Sequence, residues 1–288
     1  MNRKNFLGMI FIGLILPACS MQKLALRSAA GIFEKGVSAF YEEPDTEFAR
    51  SAMASQLKQL EVFIKSDPKN PVLLTRAAQG FGAYAFLFLE DEEPARAKRL
   101  YRRGRDYGFR AVQALGGKKI QTISDMKEFS HALETFSKND LDALFWTAYA
   151  WGGLANLSRS DPEALSDLPR IEKVMTYVSQ KSPGFFYGGP EIFLGAYYGS
   201  RPKMFGGDLE KSKEFFSRAF DASKRKFLMT QVLYARHYCI PAQDRETFES
   251  SLKEVLTAPE DILQAQTLSN MAAKDKARKL LADINDYF

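Results

Sequence analysis

Few side chains in this sequence have the type and spacing to do chemistry. Its two histidines, His131 and His237, lie far apart, and neither has Cys or His at ligand spacing. A zinc or other transition-metal site therefore has no ligand set to start from. No Gly-Lys-Ser/Thr run follows a glycine cluster, so the backbone cradle for nucleotide phosphates is missing as well. Glu249-Ser250 could supply the raised-pKa acid of a glycan-cleaving site, but such an acid needs a sheltered cleft. Arg245, Glu246 and Glu249 itself mark an exposed helix face there. We expect no catalytic residues, no metal and no cofactor.

The two cysteines have different prospects. Leu16-Pro17-Ala18-Cys19 follows a charged start (Arg3, Lys4) and a short apolar run from Phe6 to Leu16. That is the layout of a bacterial lipoprotein signal, with residues 1–18 removed and the Cys19 thiol carrying diacylglycerol. The apolar run is too short to span a bilayer. Ser20 after the cysteine, rather than Asp, favours the outer over the inner membrane by the convention of lipoprotein sorting. Cys239 is then the one thiol of the mature chain, so no internal disulfide can form. Between Tyr238 and Ile240 it reads as a small buried side chain.

The elements that must position everything else are helices. Pro190 to Phe220 reads as a helical hairpin: Leu194, Gly195 and Tyr198 sit at the LG-x2-Y spacing of a tetratricopeptide (TPR) first helix. Ser200-Arg201-Pro202 and Gly206-Gly207 turn the chain. Asp208 caps a second helix on which Leu209, Ser212, Phe216 and Ala219 form one face at helical spacing. Aligning Gly195 with Gly80 lays Ser212, Phe216 and Ala219 over Ala97, Tyr101 and Gly104, with the same 17-residue separation. A standard TPR has about 12 residues between those landmarks, so both units share an insertion. Weaker copies run from Trp146 to Val178 and from Gln231 to Val255. A lone hairpin cannot bury both apolar faces, so the units must stack. The expectation is an all-α, TPR-like α-solenoid of about four helical hairpins with flanking helices, its repeat core at about 71–258 within one domain over 19–288.

In such an array the first helices line the concave face. Counting repeat positions places Phe81, Tyr84, Trp151, Leu154, Ile192, Val232, Arg236 and Cys239 on it. That wall is apolar and aromatic with one cation, the composition of a pocket for an amphipathic acid. Its tail would lie against Trp151 and Tyr84 and its head would pair with Arg236. In the competing reading Arg236 bends out to solvent and the groove is dry or filled by a neighbouring helix.

The run Tyr187-Gly188-Gly189-Pro190, Phe193-Leu194-Gly195, Tyr197-Tyr198, Ser200-Arg201-Pro202 and Gly206-Gly207-Asp208 resembles the TatT component family of TRAP transporters. Phe88-Leu89-Glu90-Asp91, Trp146, Tyr149, Trp151-Gly152 and Asp167-Leu168-Pro169-Arg170 extend the likeness, which covers roughly Pro71 to Phe288. One departure is Glu191, where members commonly carry His. The resemblance implies a lipid-anchored, periplasm-facing accessory of a tripartite ATP-independent periplasmic transporter. It would dock with the periplasmic solute-binding (P) component, pass ligand to it, and assemble as a trimer with a pore-like cavity in each protomer; the groove composition makes that a hydrophobic or organic-acid ligand. A TPR lipoprotein scaffold with no small-molecule ligand is the alternative.

The remaining features agree with this frame. Basic residues exceed acidic ones by five; loss of residues 1–18 removes Arg3 and Lys4 and no acid, leaving an excess of three. So small an excess does not argue for nucleic acid. The densest basic run, Arg96 to Arg110, alternates with Ala97, Tyr101, Gly104, Gly108, Ala111 and Leu115, which makes it the outer face of a helix. Residues 22–65 read as two helices broken at Glu43-Pro44-Asp45, and 116–139 as a looser connection with a short helix.

Overall fold

Three local devices set the helix boundaries at the start of the chain. Pro44 and the following Asp45 break the path between α1 (Ala30–Tyr41) and α2 (Thr46–Ser66), and the Asp45 carboxylate accepts from the amides of Glu47 and Phe48. Asn70 caps α3 (Pro71–Phe88) in the same way, with Pro71 in the first turn where a missing N–H costs nothing. α4 (Pro94–Ala114) also opens on proline. The computed structural model describes residues 30–117 and 119–288, and among these every regular element is helical. Residues 1–18 and Cys19 lie outside the described residues.

The chain continues through α5 (Met126–Leu133), α6 (Leu141–Asn156), the short α7 (Pro162–Ser166), α8 (Leu168–Lys181), α9 (Phe185–Gly199) and α10 (Leu209–Ser223). Beyond these come α11 (Met229–Tyr234), which runs on through a π turn (Ala235–Cys239), then α12 (Arg245–Thr257) and α13 (Thr267–Ala282). The pairs α3/α4, α6/α8, α9/α10 and α11/α12 pack as hairpins, and each stacks on the next. The all-α hairpin array expected from the spacing is therefore present, with α1, α2 and α13 flanking it.

Glycine contacts test the repeat alignment residue by residue. A Cβ on Gly195 would come within 2.7 Å of the Phe216 ring on α10, so this glycine lets the two helices of its own hairpin close. Gly80 differs: a Cβ there would meet Leu57 of the preceding α2, at 2.6 Å. Close packing within the first hairpin comes instead from Gly104, which abuts the backbone of Ala78 and Gly82 on α3.

The basic helix α4 buries Ala97, Tyr101, Gly104, Gly108 and Ala111 as the pattern requires, while Leu115 is exposed. Two of its arginines tie it to its neighbours: Arg103 pairs with Glu61 of α2 and lies over the Phe81 ring of α3, and Arg110 donates to the Pro68 carbonyl in the turn between them at 3.0 Å.

The array also returns on itself. α13 packs against α1 and α2 as well as α11 and α12. On the α3–α4 loop, Asp91 pairs with Lys276 of α13 and, at 3.0 Å, with Arg236 of the π turn; Glu92 pairs with Lys279 at 2.8 Å. Burial works against ionisation of Asp91, but the Lys276 and Arg236 charges outweigh it and hold the carboxyl at about 2. Two clusters of buried apolar side chains result. Phe86, Leu87 and Phe186 pack against both.

Candidate ligand cavity

Where the two clusters meet lies a deep pocket of about 810 Å³, open to solvent on one side and in the size class of pockets for small organic molecules. The next two cavities hold about 100 and 80 Å³, too little for such a ligand. α3 supplies Ala83, Phe86 and Leu87 to the large one; α6 supplies Phe145, Trp146, Tyr149 and the glycine pair Gly152-Gly153; α9 supplies Ile192, Phe193 and Ala196. Phe227, Met229 and Leu233 complete the apolar lining.

Two backbone irregularities build part of this wall. Between Gly184 and Pro190 the chain runs left-handed at Phe186 (φ 44°), Tyr187 (φ 57°) and Gly188 (φ 84°). A left-handed conformation costs a non-glycine residue about 1–2 kcal/mol. The return is position: the Phe186 ring lies in the cavity wall, edge-on to Trp146 at 4.8 Å, and Tyr187 stacks on Phe227 at 5.6 Å. The π turn carries His237 to the cavity, and Gly199 admits it, because any Cβ there would collide with the His237 carbonyl.

Polar groups gather in small networks. Glu90 accepts from the Tyr101 hydroxyl and, at 3.4 Å, from Asn156 Nδ2; Arg159 in turn donates to Asn156 Oδ1. Burial pushes the Glu90 carboxyl above the usual carboxylate range, against the pull of Tyr101. Glu172 accepts from the Tyr198 hydroxyl and, at 3.5 Å, from that of Tyr197. The Arg201 guanidinium carbon lies 3.2 Å from the centre of the Tyr197 ring. Ser200 Oγ and His237 Nδ1 are 2.7 Å apart. Burial, helped by Arg236 and Arg159, pushes His237 down to about 3, so its ring is neutral at neutral pH. Among the described residues, no three His, Cys, Asp or Glu side chains group as metal ligands would.

Of the eight residues placed on the groove by repeat counting, Ile192 lines the cavity. The other seven are not in its wall. Phe81 stacks on Tyr107 and Tyr84 meets Phe88 edge-on within the helix layer. Trp151 donates to Asp167 Oδ2 at 2.7 Å, and Leu154, Val232 and Cys239 are core residues. Burial pushes the Cys239 thiol up to about 12. Arg236 turns to Asp91. The wall lies one or two positions along the same helices, at Ala83 and Phe86 rather than Phe81 and Tyr84, Gly152-Gly153 rather than Trp151, and Leu233 and His237 rather than Val232 and Arg236. Counting also missed Phe186, Phe227, Arg159 and Arg201. Only Arg201 had left a signal, in the Ser200-Arg201-Pro202 run.

Among the described residues, no helix is long and apolar enough to cross a membrane. A family model described as "TRAP transporter T-component" matches residues 42–288. An uncharacterised protein of Treponema pallidum (strain Nichols) is 22% identical, over 96% of this chain and 94% of the relative.

Proposed function

The chain belongs to the TRAP transporter T-component family, and from that premise we propose that it is a non-enzymatic accessory that holds an apolar or amphipathic ligand for its transporter. The family is a transporter component rather than a family of enzymes. The observation that carries the ligand reading is the 810 Å³ cavity itself. Protein interiors are close-packed, and unfilled apolar space costs stability in proportion to its volume. A scaffold with no ligand has no use for such a space, nor for left-handed aromatic residues bordering it.

In this reading the chain is anchored through Cys19, faces the periplasm from the outer membrane, and passes ligand to the periplasmic solute-binding component. The docking face we favour surrounds Phe205, which lines the cavity yet is 67% exposed, and its neighbour Met204, 82% exposed. Assembly as a homotrimer belongs to the same proposal, and light scattering of the purified chain tests it.

The deciding experiment titrates the chain, made as Cys19→Ser without its leader, against the purified solute-binding component of the same transporter by interferometry. Saturable binding is expected, weakened about tenfold or more by joint Met204→Ser and Phe205→Ser substitution. Absence of binding contradicts the docking reading.

A further inference from the structure

The charges lining the cavity do not match one another. Two carboxylates border it, and each already has its partners: Glu90 holds Tyr101 and Asn156, and Glu172 holds Tyr198 and Tyr197. Two guanidiniums border it as well, and neither has a carboxylate at ion-pairing distance among the described residues. Arg159 is exposed and spends its donors on the Asn156 carbonyl and amide oxygen. Arg201 is half-buried and held over the Tyr197 ring. A half-buried cation on a mainly apolar wall calls for an anion that the chain itself does not supply.

The loop that presents Arg201 is built to hold one shape. Pro202 fixes its own φ at −60° and restricts Arg201 before it, Gly206 takes φ 85°, and the Gly207 amide donates to the Pro202 carbonyl at 3.1 Å. The Asp208 amide donates back to the Tyr198 carbonyl at 3.0 Å, tying the loop to α9. Gly207 lies so close to the Arg201 carbonyl that any Cβ would displace it. Exposed Phe205 and Leu165 mark this side of the cavity as its rim, whereas Trp146 and Met229 at the far side are almost fully covered. Preorganised donors of this kind hold an anion at little entropic cost.

We propose that Arg201 seats the carboxylate of a single-chain amphiphilic acid, with its tail running inward along Phe193, Trp146 and Phe186. The proposal rests on the reading of the cavity as a ligand chamber. The planar guanidinium offers a carboxylate two parallel hydrogen bonds while its face stays on Tyr197. The Tyr198 and Tyr197 hydroxyls hold Glu172 and keep it from taking that place.

Calorimetric titration with laurate, dodecan-1-ol and dodecylamine tests this, since the three share a tail and differ in the head. On the unaltered chain laurate is expected to bind most tightly and the amine least. Arg201→Gln should weaken laurate about ten- to a hundredfold and leave dodecan-1-ol within about twofold. Arg159→Gln should change laurate affinity less than about threefold. Equal binding of acid and alcohol by the unaltered chain overturns the head assignment, as does equal weakening of both by Arg201→Gln or unchanged laurate affinity; in each case the chamber reading stands. If none of the three binds the unaltered chain, the chamber reading fails with it.

Discussion

Arg236 and Asp91 are 145 positions apart in the chain and 3.0 Å apart in space. Together with Lys276 on the other oxygen of Asp91, they clamp the last helices to the loop of the first hairpin. Arg236 had the look of a ligand's counter-ion. Its work is to close the array around the cavity.

Breaking that clamp should loosen the fold from its ends. Asp91→Ala leaves Lys276, whose side chain is only 10% exposed, without its carboxylate, and should cost about 2–3 kcal/mol by urea unfolding. The pH dependence has a definite sign. A carboxyl depressed to about 2 adds stability above its unfolded value of about 3.9 and loses it as pH falls toward 2. After solvent screening this is on the order of 1–2 kcal/mol, and Asp91→Asn should abolish that part of the acid loss.

The two landmark glycines should respond differently to enlargement. Gly195→Leu drives a side chain into Phe216, which is fully buried, and should cost about 3 kcal/mol or more. Gly80→Ala meets only the end of the Leu57 side chain, which can turn aside, so the cost should stay below about 1 kcal/mol. Equal melting temperatures for the two variants would contradict the assigned contacts.

His237 should make the protein acid-sensitive in a second window. The unfolded imidazole takes up a proton below about 6.5, whereas the folded one resists until about 3. Stability is therefore full above 6.5 and is lost as pH falls through that interval. His237→Gln should lose less stability than the parent between pH 7 and pH 4.5, read as urea midpoints. An identical loss would show that the ring is not held neutral.

These cases show what local sequence could and could not reveal. Asp208 caps the helix that its position predicts, and Asp45, Asn70 and Asp125 cap theirs in the same way, because a cap is decided within a few residues. The hairpins were legible from spacing for the same reason. The inward face was not. α3 and α6 are buried on nearly every side, so neither has the polar stripe that orients a surface helix. Phe186 enters the wall through left-handed backbone and His237 through a π turn, neither of which hydrophobic periodicity encodes. The Asp91–Lys276 closure joins the first hairpin to the last helix, a distance no repeat count spans.

The claim that this cavity is a ligand chamber is tested most directly by Trp146, whose indole borders it while Trp151 does not. In a Trp151→Phe background the remaining emission reports on the cavity wall. Titration with laurate should shift that emission saturably. Ala196→Phe, which fills the cavity from α9, should abolish the shift while leaving the helical circular dichroism intact. Emission that laurate leaves unmoved, or that moves equally in the filled variant, would contradict the account.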